Sequence, residues 1–387
     1  MNDADARNLR RELHANPELP GRERETAERV AGFIRKTAPD EMVTGLGGHG
    51  LTAVYEGRDD GPTLLLRAEL DALPVPESGE REHRSRNDGV SHACGHDGHT
   101  AILAATAGRL ERVPPARGRV VLLFQPAEET GQGARAVVTD PEFAPLRPDL
   151  AFAVHNLPGL PVGRVFVRSG PMALGSVAAS VRLRGESAQA GYPDRARSPA
   201  PATAMLIERL SDIAGTAATD DPFALATVTH ARVGERALGT TPGEAEVVVT
   251  VRAGGEAALD ALKRAVEALA AEAAGRWDLE HDISWEEEFP VTANSPEAVE
   301  IAARAARRAG LDVEELDEPF RWSEDFGWFT KLSAAALVGM GAGEDLVPLH
   351  HTGYDFPDEL ITPGADLLQG IVQDVLGPYA TEEPIPH

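Results

Sequence analysis

The segmental rhythm of this chain changes twice, and no other feature limits its fold so strongly. Up to about residue 175, helical and strand-like runs alternate. Residues 4–15 and 23–37 have helical spacing, "LTAVYEG" and "TLLLRAELDA" read as strands, and "GHTAILAATAGRLERV" has the apolar spacing of a helix packed on a sheet. From "SVAASVRLRGE" to "DLEHDISWEEEF" the order becomes strand, helix, strand, strand, helix, strand. That order marks a split-βαβ, ferredoxin-like unit. The earlier alternation then returns with "PEAVEIAARAARRAG", "AAALVGMGA" and "ITPGADLLQGIVQDVL". A chain of 387 residues also exceeds what one core usually organises. The expected architecture is an α/β domain over 1–175 and 292–387, interrupted by a smaller α+β insert over 176–291. The tail "TEEPIPH" reads as frayed.

Charge and cysteine content narrow the function classes. A formal charge of -25 opposes nucleic-acid and anionic-membrane partners, since a polyanion is repelled over most of such a surface. A single cysteine rules out an internal disulfide, in keeping with a reducing compartment. No run approaches the roughly 20 apolar residues of a membrane span, and the charged start "MNDADARNLRREL" has no apolar signal region behind it. A cytoplasmic protein is expected.

Chemistry concentrates where apolar runs end. "ELDALP" follows "TLLLRA", "PAEE" follows "VVLLFQ", and "HN" follows "LAFAV". Ligands of α/β sheets usually bind at such strand ends. Between the first two lies "SHACGHDGH", with three histidines, an aspartate and Cys94. Thiolate and imidazole suit a borderline-soft divalent metal, and Cys94 and His96 can point into one site from a tight loop, with Gly95 and Gly98 giving backbone freedom. Adjacent Glu128 and Glu129 face different directions, so one carboxylate can bind metal while the other serves as general base to a water at that metal. Taken singly, His155, His350 and His351 carry weak signals, and Asp71 reads as a carboxylate orienting a ligand.

Together, "RRELHANPEL", "LLRAELDALP", "ACGHDGHTAIL", "LLFQPAEETGQGA", "AVHNLPGLPVG", "WSEDFGWF" and "LHHTGYDF" resemble, in order and spacing, the M20 metallopeptidase-like amidohydrolases. The branch most resembled contains hippurate hydrolases, N-acyl-amino-acid amidohydrolases and plant auxin-conjugate hydrolases. This resemblance implies a mixed-sheet α/β catalytic domain, a lid or dimerisation insert, and a homodimer acting on a small-molecule amide. It also implies a site for two divalent metals, with Cys94, His96, Glu129, His155 and His350 as ligands, Glu128 as base and Asp71 as the orienting aspartate. Zinc is favoured, and manganese, cobalt and nickel are compatible with the donors. His92 and Asp97 are expected beside the site, with His99 opening the next helix.

Three positions depart from the family pattern. Glu69 stands where aspartate is common, Gln189 of "SAQAGYP" replaces a lid histidine, and Gly239 of "GTTP" replaces an asparagine. Glutamine donates a neutral hydrogen bond but brings no positive charge, so the substrate-binding role implied for position 189 changes character. The leading expectation is hydrolysis of an N-acyl amino acid or related amide. The alternatives are a dipeptidase or pathway-specific amide hydrolase with an altered lid, and a catalytically silent M20-like binding protein. Retention of Glu128 and all five ligand positions argues against the last.

Overall fold

The computed structural model describes residues 1–216 and 219–377; the tail "TEEPIPH" lies outside them. Two compact units emerge, one formed by Met1–Met172, Thr292–Glu318 and the residues from Asp325 onward, the other by Ala173–Val291 with Pro319–Glu324.

The first unit holds an eight-stranded mixed sheet in the order Glu41–Leu46, Gly50–Glu56, Arg117–Gln125, Asp59–Glu69, Leu150–Pro158, Ala334–Gly343, Val165–Val167, Val313–Glu315. Its four strands from Arg117–Gln125 to Ala334–Gly343 run parallel to one another. They are buried runs such as Val120–Phe124, as strands covered on both faces require. Helices Asp3–Ala15, His96–Arg112, Pro296–Arg308 and Ile361–Leu376 pack their apolar residues into the same core. The sequence also sets where these helices begin. Ser295 accepts the amide of Ala298 at 3.1 Å, Pro296 follows at the first helical position, and Arg307 and Arg308 close the last turn. Strand Gly170–Ala173 pairs with Thr292–Asn294 in a separate two-stranded sheet.

The second unit is a four-stranded antiparallel sheet in the order Glu280–Phe289, Gly175–Arg184, Glu244–Ala253, Leu225–Val233. Helices Ala200–Ser211 and Glu256–Arg276 bury Leu206, Leu210, Leu262 and Val266 against its alternating Val247, Val249 and Val251. Each such side chain contributes about 1.5–3 kcal/mol on burial. This core shares no residue with that of the first unit.

One part of the sequence expectation needs correction. Residues 319–324, expected within the 292–387 segment of the α/β domain, group with the insert. Backbone bonding explains it, since the Leu174 amide lies 3.1 Å from the Phe320 carbonyl and 3.2 Å from that of Trp322, and Arg252 donates to Ser323 Oγ at 2.6 Å.

Candidate metal centre

The site of the first unit lies beyond the carboxyl ends of its parallel strands. Asp71 follows strand Asp59–Glu69, Glu128 and Glu129 follow Arg117–Gln125, His155 sits near the end of Leu150–Pro158, and His350 follows Ala334–Gly343. Cys94 precedes helix His96–Arg112, whose first residue is His96 itself. The helix thus opens three residues before the expected His99, and His96 is held by a helix terminus as well as by a loop.

Two glycines let this terminus pack closely, for different reasons. Gly95 has φ +90°, and a Cβ there would lie 2.4 Å from Asn156 Oδ1. Gly98 is helical, so it supplies space and not the backbone freedom expected of it: a Cβ would come within 2.2 Å of the Phe356 ring. His350 itself adopts φ +64°, a costly conformation for a non-glycine residue, with its amide donating to the Ala93 carbonyl at 2.8 Å.

The donor atoms converge. Cys94 Sγ lies 3.7 Å from His155 Nε2, and His96 Nε2 lies 3.8 Å from both Glu128 Oε2 and Glu129 Oε1. Glu129 Oε2 is 3.8 Å from His350 Nε2. Cys94, His96 and His155 form one candidate metal group, and Cys94, Glu129 and His350 another. Metal bonds of about 2.0–2.3 Å at tetrahedral angles put donors roughly 3.3–3.8 Å apart, so these spacings suit a cation.

Hydrogen bonds settle which nitrogens face the centre. His96 Nδ1 donates to the Asp71 carbonyl and His155 Nδ1 to the Asn156 carbonyl, each at 2.9 Å, leaving Nε2 as the lone-pair nitrogen in both rings. His96 Nε2 and Asp71 Oδ1 are buried without hydrogen-bond partners among the described residues. Burial and repulsion from His99 pull His155 down to about 3, and burial with His96 lowers His350, so both imidazoles are neutral near pH 7. Burial also pulls His96 down, but its interactions with Cys94 and Asp71 outweigh it and raise it well above 6.5. Proton and cation therefore compete at that nitrogen. Burial and the charge of Glu129 push the Cys94 thiol far up, a penalty that a cation at Sγ would reverse. The donor set fits a divalent metal of the zinc type.

Buried polar groups surround these donors. Asp71 Oδ2 accepts the Glu129 amide at 2.9 Å, and the Asp325 amide approaches Glu128 Oε1 at 3.4 Å. Asp325 also accepts from Gln125, the Ala134 amide and Arg67. Glu69 accepts from His99 Nδ1 at 2.6 Å and pairs with Arg67, while Asn156 Nδ2 donates to Tyr354 Oη at 2.8 Å. The sequence reading assigned no role to Asp325, Asn156 or Tyr354, although each lies in a quoted motif. A further buried network joins Arg10, His14, Glu77 and Asp97, where burial lowers His14 but the charge of Asp97 and bonds to Asp97 and Glu77 raise it to about 9. His92 is buried with neither ring nitrogen bonded among the described residues, and burial lowers it to about 4.

Gln189 belongs to the second unit, in an isolated bridge to Thr240. The Ala190 amide donates to the Gly239 carbonyl at 2.9 Å, so the two insert positions that depart from the family pattern adjoin each other.

The profile of peptidase family M20/M25/M40 matches residues 65–374, most of the chain. The chain belongs to this family. It is a metal-dependent amidohydrolase. Among M20 relatives, it is 30% identical to N-acetylcysteine deacetylase of Bacillus subtilis (strain 168), over 92% of each chain. It is also 30% identical to hippurate hydrolase of Campylobacter jejuni, over 92% of this chain and 93% of the relative. A dinuclear metal binding M20 peptidase of Bacillus subtilis superposes with a TM-score of 0.81 at 27% identity, covering 97% of this chain and 98% of its own. Among the described residues no helix is long and apolar enough to cross a membrane.

Proposed function

We propose that this member of the family hydrolyses the amide bond of an N-acyl amino acid or a related small conjugate, using two divalent metal ions. Cys94, His96, Glu129, His155 and His350 are the ligands in this reading, and zinc is the favoured metal, with manganese, cobalt and nickel as alternatives. The observation that carries it is the convergence of those five donors with Glu128 Oε2 only 3.8 Å from His96 Nε2. Bound there, the ions would polarise the scissile carbonyl and acidify a water. Glu128 takes a proton from that water and returns it to the departing amine. Asp325 steadies the Glu128 carboxylate through its amide, and Asp71 fixes the neighbouring Glu129.

A second reading, a dipeptidase or pathway-specific amide hydrolase, is favoured by the adjoining Gln189 and Gly239. Without a cation at 189, the acid end of the substrate would need recognition by other groups. Homodimerisation through the insert is part of both readings, and the exposed edge strand Leu225–Val233 supports it.

The test is removal of metal with a chelator, then reloading with zinc, manganese, cobalt or nickel. Activity is assayed on N-acetylcysteine, N-benzoylglycine, their carboxyl esters and a dipeptide panel. The reading expects activity that tracks about two ions per chain and collapses in Glu128→Gln with metal content unchanged. A chain that holds no metal, or a Glu128→Gln protein of wild-type rate, would overturn it. Preference for dipeptides or esters over free N-acyl amino acids would select the second reading.

A further inference from the structure

Glu23 immediately precedes helix Arg24–Ile34, 105 positions before Glu128, in no metal-binding motif. Yet its side chain is fully buried. Glu23 Oε1 accepts the amide of Gly21 at 2.7 Å and the amide of Ala127 at 2.9 Å, while Oε2 has no hydrogen-bond partner among the described residues. Burying a carboxyl with one oxygen unsatisfied is costly, so the bond to Ala127 has to serve something.

Ala127 is the residue it serves. It precedes Glu128 and has φ +49°, a left-handed conformation that an alanine resists. Two residues on, Asp71 Oδ2 accepts the amide of Glu129 at 2.9 Å. Two buried carboxyl groups from distant parts of the chain thus grip alternate amides of one short turn. Between them stands Glu128, with the turn closed behind it by the Gly131 amide on the Glu128 carbonyl at 2.8 Å and the Gly133 amide on the Ala127 carbonyl at 3.0 Å. The direction of the Glu128 carboxylate follows from the backbone angles of Ala127.

We infer that Glu23 is a positioning residue for the hydrolytic reaction, holding Ala127 in its left-handed conformation so that Glu128 points at the metal centre. The inference rests on the proposed role of Glu128 as general base. It assigns Glu23 the counterpart of the task Asp71 performs on Glu129.

Three variants and one exchange measurement test it on the metal-loaded, full-length enzyme. Glu23→Gln keeps an acceptor oxygen at the same reach and should hold kcat within about threefold of wild type. Glu23→Asp keeps the carboxyl but withdraws it by one methylene; kcat should fall about 10- to 100-fold with KM and metal content little changed, as when groups supporting a metal site are removed. Adding Ala127→Gly to Glu23→Asp removes the left-handed penalty and should return about fivefold in kcat. Hydrogen exchange at the Ala127 amide, read without any substrate, should quicken in Glu23→Asp and stay slow in Glu23→Gln. Wild-type kcat together with unchanged Ala127 exchange in Glu23→Asp would overturn the inference, and so would a loss of kcat that Ala127→Gly leaves unmoved. Glu128→Gln separates the two readings: if it retains full rate, the base assignment fails, while Ala127 exchange still reports whether Glu23 holds the turn.

Discussion

His96 donates its Nδ1 proton to the main-chain carbonyl of Asp71, 2.9 Å away, so this ring is oriented by a group that no side-chain substitution at Asp71 removes. The Asp71 carboxylate instead bonds the Glu129 amide. Asp71→Ala should therefore leave the His96 tautomer intact and loosen Glu129. Metal affinity or kcat is expected to fall about 10- to 100-fold. Titration with a metal-competing dye checks this, and affinity within twofold of wild type would refute it.

Glu69→Asp restores the commoner family residue, but the chain has built around the longer side chain. One carboxylate serves both Arg67 and His99, all three buried. Shortening it leaves one partner short of a bond in a dry environment, and a loss of about 1–3 kcal/mol is expected. Denaturant unfolding measures it, and an equally stable variant would show that the network adjusts freely.

Stability should decline from neutral to alkaline pH through His14. Its folded value of about 9 lies above the ordinary 6.5, so its contribution is complete below 6.5 and is lost as pH rises through 9. The contribution is on the order of 3 kcal/mol. Thermal melts from pH 6 to 9.5 should fall in the wild type and flatten in His14→Gln; parallel curves would rule out this origin.

Gly98→Ala sets two effects against each other. Alanine gains about 1 kcal/mol in helix propensity, whereas a Cβ overlapping the Phe356 ring costs roughly 1–3 kcal/mol. Overlap should win, and Phe356 shares a segment with His350, so a lower melting temperature with weaker metal binding is expected. A stabilised variant with unchanged affinity would contradict it.

Much of this was legible in the sequence because periodicity and strand-end polarity are local signals. "VVLLFQPAEE" announced both a buried strand and the carboxylates at its end, and the six-element order of the insert emerged from periodicity alone. What stayed hidden depends on groups meeting across the fold. Nothing around Glu23 points to Ala127, since a lone glutamate before a helix looks like a solvated terminus until tertiary structure buries it. Gly98 misled for a related reason: glycine gives the same letter whether the chain needs an unusual backbone angle or room for a ring. Residues 319–324 escaped because backbone pairing over such a distance leaves no periodic trace.

Strands Gly170–Ala173 and Thr292–Asn294 lie side by side, so the chain first leaves for the insert and first comes back through neighbouring positions, before residues 319–324 join the insert again. Neighbouring strands are spaced about 4.8 Å apart. Gln189 and Gly239 lie in the second unit, whose core shares no residue with the first, so changes there leave the packing behind the strand ends that carry Asp71, Glu128 and His155 untouched. Two separate cores thus let one polypeptide change at either without repacking the other.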